Sequence, residues 1–156
     1  DTSVTGVQTC ALPILLDVKN RQVQKAFANE RLTTSAISVH HGAVPALAWR
    51  VELAGKTITF SGDMNGDYNT LASLAKNADI IFPHNAVPEG ARGVERRLHM
   101  PPSVIGKKAA DAITKKLVLS HRMHRTLGKE PQTLREIQKS YAGTTQFAND
   151  MDCLTP

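Results

Sequence analysis

The stretch TITFSGDMNGD, residues 57–67, runs a β-branched segment into a turn that carries Asp63 and Asp67. An aspartate at such a strand end is a ligand type that zinc, manganese or iron accepts, and one carboxylate can bridge two ions. Other polar residues follow short apolar runs in the same way. His84 comes after DIIF and Pro83, His121 comes after LVLS, and Asn149 with Asp150 comes after TQFA. Polar clusters at matching strand ends converge on one sheet edge, which is where open α/β sheets usually keep their ligands.

The elements that must position these residues are legible in outline. VKNRQVQKAFANE is polar with scattered apolar positions and reads as a helix or a loop, while AISVHH (36–41) alternates as a strand does. LAWRVEL (47–53), an AGK turn and TITFSGD (57–63) read as a β-hairpin. DYNTLASLAKN places Leu71, Leu74 and Ala75 at helical spacing, and ADIIFPH (78–84) is a short run of buried-strand type. MPPSVIGKKAADAITKK opens on prolines suited to a first helical turn and sets Val104, Ala109, Ala112 and Ile113 on one side. The strand LVLS (117–120) follows it. A last helix starts after Pro131, ends at Gly143 and leads into TQFA. From the hairpin onward the order is β-β-α-β-α-β-α-β, an α/β arrangement with helices packed on a mixed sheet.

Each polar residue also has a plainer use. Aspartate is common in glycine-containing turns for backbone reasons, and Asp67 is expected to cap the helix DYNTLASL. His84 either packs beneath a site or joins a substrate pocket. His121 reads as a ligand, a helix cap or a core histidine. His41, just before GAVPALAWR, is placed for a substrate-side role or a structural one at a strand end. Arg122, His124 and Arg125 form a basic knot that could meet an anionic substrate or stay solvated.

Composition narrows the setting. A chain of 156 residues can bury roughly 70% of the surface its unfolded form exposes, enough for one core. Nineteen Lys and Arg against fourteen Asp and Glu leave +5, which suits an anionic small molecule or RNA as substrate. Aromatic content of 4% argues against a single-strand-binding surface with interleaved aromatics. Cys10 and Cys153 have no metal-type spacing and imply no disulfide scaffold, so a reduced, cytoplasmic setting is expected. No stretch approaches the roughly 20 apolar residues of a membrane span, so no membrane partner is expected.

Residues 4–14, VTGVQTCALPI, keep neither a 2-residue nor a 3.6-residue period. They back-translate to a sequence that resembles a widely used sequencing-library adapter read in frame. Residues 1–14 are therefore expected to be adapter-derived and unstructured, with 15–156 as the domain and the natural chain starting upstream of Leu15.

FSGD, ADIIFPHNAV, HMPPSVIGKKAADAITKKLVLSH and YAGTTQFANDMD together resemble the C-terminal half of a metallo-β-lactamase-fold hydrolase. The likeness is closest to the branch with ribonuclease Z and the small arylsulfatase-like and phosphodiesterase-like enzymes, and it spans about residues 36–153. It implies a partial αββα sandwich, with two zinc ions in the full-length enzyme, manganese or iron being alternatives. Asp63 matches the aspartate that bridges the ions, and His121 the histidine that completes the second site. His99 matches a histidine that helps bind phosphate or protonates the leaving group, and His41 resembles a substrate-side histidine ahead of the hairpin. By position and charge alone, His84, Arg122 and Arg125 are further substrate-binding candidates. The implied reaction is attack by metal-activated water on an ester-type bond, a phosphodiester before other esters. The residues leave the oligomeric state of the full-length protein open, a homodimer being one of the options.

One departure is large. The family's HxHxDH motif is absent, and His40 and His41 sit too close to Asp63 in sequence, on the wrong element, to replace it. The partners of Asp63 are expected upstream, and this chain alone, offering two ligands, is expected to bind metal weakly and to be inactive. A half-sandwich also leaves apolar surface bare, so the chain alone is expected to aggregate or dimerise. A degenerate, non-catalytic homologue and a basic nucleic-acid-binding module are the alternatives.

Overall fold

The computed structural model of the protein describes residues 15–155, and the expectation for residues 1–14 lies outside them. Seven strands form one sheet in sequential order. They are β1 (Gln24–Ala28), β2 (Leu32–His41), β3 (Val44–Leu53), β4 (Lys56–Phe60), β5 (Ile80–Phe82), β6 (Lys116–Leu119) and β7 (Thr144–Phe147). The pairs β1/β2, β2/β3 and β3/β4 are antiparallel, and β4/β5, β5/β6 and β6/β7 are parallel.

The turns explain the antiparallel half. Leu53 pairs with Lys56 across Ala54 and Gly55, both at positive φ, as a type I′ hairpin requires. His41 pairs with Val44 across Gly42 at φ +64 and Ala43. The hairpin expected over 47–63 is present, paired from Trp49 to Phe60, with β3 extended at its start by pairing with β2 and β4 ending at Phe60. QKAFA, read as helix or loop, is the edge strand β1. Its register slips between Lys25 and Phe27, and edge strands that face water on most positions lose the alternation that marks them.

Parallel strands need crossovers, and here these are helices: α1 (Thr70–Leu74), α2 (Gly93–Leu98), α3 (Pro102–Ala112) and α4 (Glu130–Gln138). The helix α2 was not expected, and it is too short for its periodicity to register. Leu71 and Leu74 of α1, Ile105, Ala109 and Ala112 of α3 and Ile137 of α4 pack on Ile37, Val39, Ala48, Ile81, Leu117 and Leu119 of the sheet. Gly106 lets α3 approach α4 so closely that a Cβ there would lie 2.6 Å from the Ile137 carbonyl oxygen. Arg50 reaches from β3 to donate to the carbonyls of Leu74 and Lys76, holding the end of α1 against the sheet. The Glu89 carboxylate accepts from the backbone N–H and hydroxyl of Ser103, so the positive end of α3 meets a negative charge.

Two helix expectations are corrected. Asp67 does not cap a helix: α1 starts at Thr70, and the Asp67 carboxylate instead lies 3.1 Å from Nδ1 of His40 and accepts from Asn65. Ile113 does not share the buried side of α3, because the helix ends at Ala112. Ile113 turns out to solvent at φ +55, 67% exposed.

The other sheet face is barer. Phe60 is 43% exposed and stacks on Phe82 with ring centroids 5.1 Å apart. Among the described residues no helix is long and apolar enough to cross a membrane.

Candidate metal centre

The parallel strands deliver their C-terminal ends to one edge. The β5 and β6 pairing continues beyond both strands as a bridge between His84 and Ser120, which carries the chain up to His121. After β4 the chain turns through Gly62 at φ +58, where a Cβ would lie 2.4 Å from the Leu47 carbonyl oxygen. Only glycine fits this turn, and Asp63 leaves from it. The Asp63 Oδ2 atom lies 3.6 Å from Nε2 of His121. His121 itself sits at φ +48, a left-handed backbone that asparagine, aspartate and histidine adopt more readily than most side chains.

His41 and His99 join this pair from elements the parallel strands do not supply. A ligating atom of His41, one of Asp63 and one of His99 all lie within 4.8 Å of one another. The exclusion of His41 on sequence proximity is therefore corrected. It stands at the end of β2, and the chain that leaves β4 crosses β3 with Gly62 against the Leu47 carbonyl and reaches β2, where the Asn65 N–H donates to the His40 carbonyl at 2.9 Å. His41 Nδ1 donates to the Leu98 carbonyl at 2.9 Å, which leaves Nε2 with a free lone pair. His99 is 8% exposed, its ring 5.1 Å from that of His41 between centroids, and its Nδ1 is buried without a hydrogen-bond partner. Burial holds the His99 pKa below the usual histidine value, against the pull of Asp63.

Of the two places expected for His84, the structure gives the one beneath the site. It is 2% exposed and accepts the Met100 N–H on Nε2 at 3.1 Å. An N–H can only donate, so the ring proton is on Nδ1, which donates to the Gly62 carbonyl at 2.9 Å. Both nitrogens are engaged by backbone, and neither is left for a substrate. Desolvation pushes the His84 pKa down to about 4, so the ring is neutral at physiological pH.

Both arginines of the basic knot have carboxylate partners. Arg122 pairs with Glu130, donates to Asn149 Oδ1 at 3.2 Å and lies over the Phe147 ring. Arg125 pairs with Glu95. Both guanidiniums are thus ion-paired with carboxylates of the same chain. A cavity of about 560 Å³ opens beside His121, lined by Ser120, Arg122, Leu127, Asn149 and Asp150 among others.

The donors fit a divalent transition metal. Two imidazoles and a carboxylate are a nitrogen and oxygen set that zinc, manganese and iron accept, and His121 stands next to it. What the sequence missed is the backbone around them: the Leu98 carbonyl, the Met100 N–H and the Gly62 carbonyl, none of which has a residue-type signal.

Solved structures share this architecture. YhfI from Bacillus subtilis, a metallo-β-lactamase fold protein, aligns at a TM-score of 0.70 over 81% of this chain and 50% of its own, at 21% identity. The short form of human tRNase Z aligns at 0.69 over 91% of this chain and 48% of its own, at 20% identity. A putative metal-dependent hydrolase from Parabacteroides distasonis aligns at 0.53 over 80% of this chain and 54% of its own, at 14% identity. The fold is the α/β metallo-β-lactamase fold, present as a mixed sheet with flanking helices, and the chain spans about half the length of these structures. No protein-family model and no curated protein matches it.

Proposed function

We propose that the chain carries the metal-binding edge of a hydrolase that cleaves an ester-type bond, a phosphodiester before other esters, with a zinc centre for which manganese or iron can substitute. The observation that carries the reading is the approach of Asp63 to His121, 3.6 Å between Oδ2 and Nε2, from strand ends of a fold whose solved examples include a tRNase Z and a metal-dependent hydrolase.

Asp63 and His121 are the donors on the solvent side and would hold the metal there, Asp63 being the one whose carboxylate could serve two ions. A bound divalent ion would supply Lewis acidity toward water and substrate oxygens. The residues of the chain do the placing. Gly62 aims the Asp63 carboxylate, the left-handed backbone of His121 turns its ring toward it, and the cavity beside His121 receives the group that carries the scissile ester. Pairing with Glu130 makes Arg122 a support of the cavity wall, and the net charge of +5 draws an anionic substrate at long range.

The expectation that more ligands precede Leu15 sets the form of the test. Hydrolysis of bis(p-nitrophenyl) phosphate with zinc or manganese is measured for the chain alone and for the chain extended by its upstream coding sequence. The chain alone is expected to be inactive. The extended protein is expected to turn over, and Asp63→Asn and His121→Ala are each expected to lower kcat by about 100-fold or more. Undiminished turnover in both variants overturns the reading.

A further inference from the structure

We propose that the chain binds one divalent transition-metal ion by itself, through His41, Asp63 and His99, with no donor from outside the described residues. This goes beyond the hydrolase reading: the ion can be bound and nothing hydrolysed.

The three ligating atoms lie within 4.8 Å of one another. Ligands about 2.1 Å from a tetrahedral ion are about 3.4 Å apart, so the donors close in by up to about 1.4 Å on binding, a change that side-chain torsions can supply. The Asp63 side chain, 35% exposed, is free to make that adjustment.

A hydrogen bond to the surrounding backbone has already chosen the tautomer and direction of the His41 ring. The Leu98 carbonyl holds the proton of His41 on Nδ1 and so presents Nε2, the arrangement by which a ligating histidine is commonly oriented. Leu98 precedes His99, so the peptide that aims one ligand belongs to the segment that carries the next. His99 is enclosed, with a buried Nδ1 that no protein group satisfies and no hydrogen bond that holds the ring in another role.

His84 joins the third ligand to the second. Its Nδ1–H donates to Gly62, the residue before Asp63, and its Nε2 accepts from Met100, the residue after His99. One buried ring therefore spans the two ligand loops, and the Leu98 carbonyl adds His41. Such outer contacts maintain a site in the absence of its ion. His121, 53% exposed, flanks the triad at its open side, where a catalytic ion keeps a position for water or substrate. As a ligand, His99 is not the proton donor that the family resemblance implied.

The test is titration of the tag-free, metal-free chain with cobalt(II), read as visible absorption, and with zinc, read by calorimetry. One equivalent is expected to bind, and His41→Ala and His99→Gln are each expected to weaken it by about 100-fold, while His40→Ala and His124→Ala change it by less than about twofold. His84→Gln, whose amide can also donate to Gly62 and accept from Met100, is expected to retain affinity, and His84→Ala to lose about tenfold or more. Zinc titration followed by imidazole NMR of the wild-type chain needs no variant. Shifts centred on His41 and His99 are expected, whereas shifts confined to His40 and His124, or no binding by the folded chain, overturn the proposal. Metal binding without hydrolysis in the extended protein removes only the hydrolase reading. Hydrolysis that depends on Asp63 and His121, with wild-type metal affinity in the His41 and His99 variants, removes only the triad.

Discussion

Asp63 and His121 leave strands that are separated by a third, yet their side chains come within 3.6 Å. Two strand spacings are roughly 9.6 Å of sheet, so the contact is made by the loops beyond β4 and β6, which lean over the end of β5. What sits under that lean is His84, the residue that follows β5 and Pro83 and ties the Asp63 turn to the turn after His99.

The Gly62 turn is the most sensitive point in this arrangement. In Gly62→Ala a methyl would lie 2.4 Å from the Leu47 carbonyl oxygen on a backbone already at φ +58. The left-handed conformation and the clash together are expected to cost about 2 kcal/mol or more. Urea denaturation of the variant should show a lower midpoint with an unchanged slope; an unchanged midpoint would mean that the turn is looser than described.

Acid should destabilise the metal-free chain through His84. Its folded pKa is about 4 and its unfolded value about 6.5, so between these the unfolded chain binds a proton that the folded chain does not. Stability contributed by the neutral ring is present above pH 6.5 and is lost as pH falls toward 4, on the order of 3 kcal/mol in all. Unfolding free energy measured against pH should flatten across this window in His84→Gln, and an equally steep fall in that variant would assign the effect to other groups.

Gly106→Ala opposes two effects of known size. Alanine gains about 1 kcal/mol in helix propensity over glycine. Against that, its methyl would be 2.6 Å from the Ile137 carbonyl oxygen, 2.9 Å from its Cα and 3.2 Å from its carbonyl carbon, all backbone that cannot swing away. Overpacking of about 1 to 3 kcal/mol should win, so thermal unfolding is expected at lower temperature. A stabilised variant would show that α3 and α4 can slide apart freely.

Ile113→Gly should raise stability. Ile113 is 67% exposed at φ +55 just past α3, a conformation that costs a branched side chain about 1 to 2 kcal/mol and glycine almost nothing. A rise of about 1 kcal/mol, or about 2 to 4 °C in the unfolding midpoint, is expected by calorimetry. No change would mean that the exposed side chain makes up the strain elsewhere.

The local sequence determined the strands from AISVHH onward, the glycine turn between β3 and β4, the long helix opened by Pro102 and the placing of Asp63, His84 and His121 at successive strand ends. These follow from periodicity and turn chemistry, which act over a few residues and leave their mark in the order of residue types. Tertiary structure alone decided that His41 comes back beside Asp63, that His84 is enclosed, and that Arg122 and Arg125 face Glu130 and Glu95. The His84 and Arg125 contacts join residues 16 and 30 positions apart, and the Arg122 pair, eight apart, closes across an irregular segment that has no period to read. Carbonyls and amides are the same in every residue type, so the contacts that aim the histidines have no counterpart in the letters.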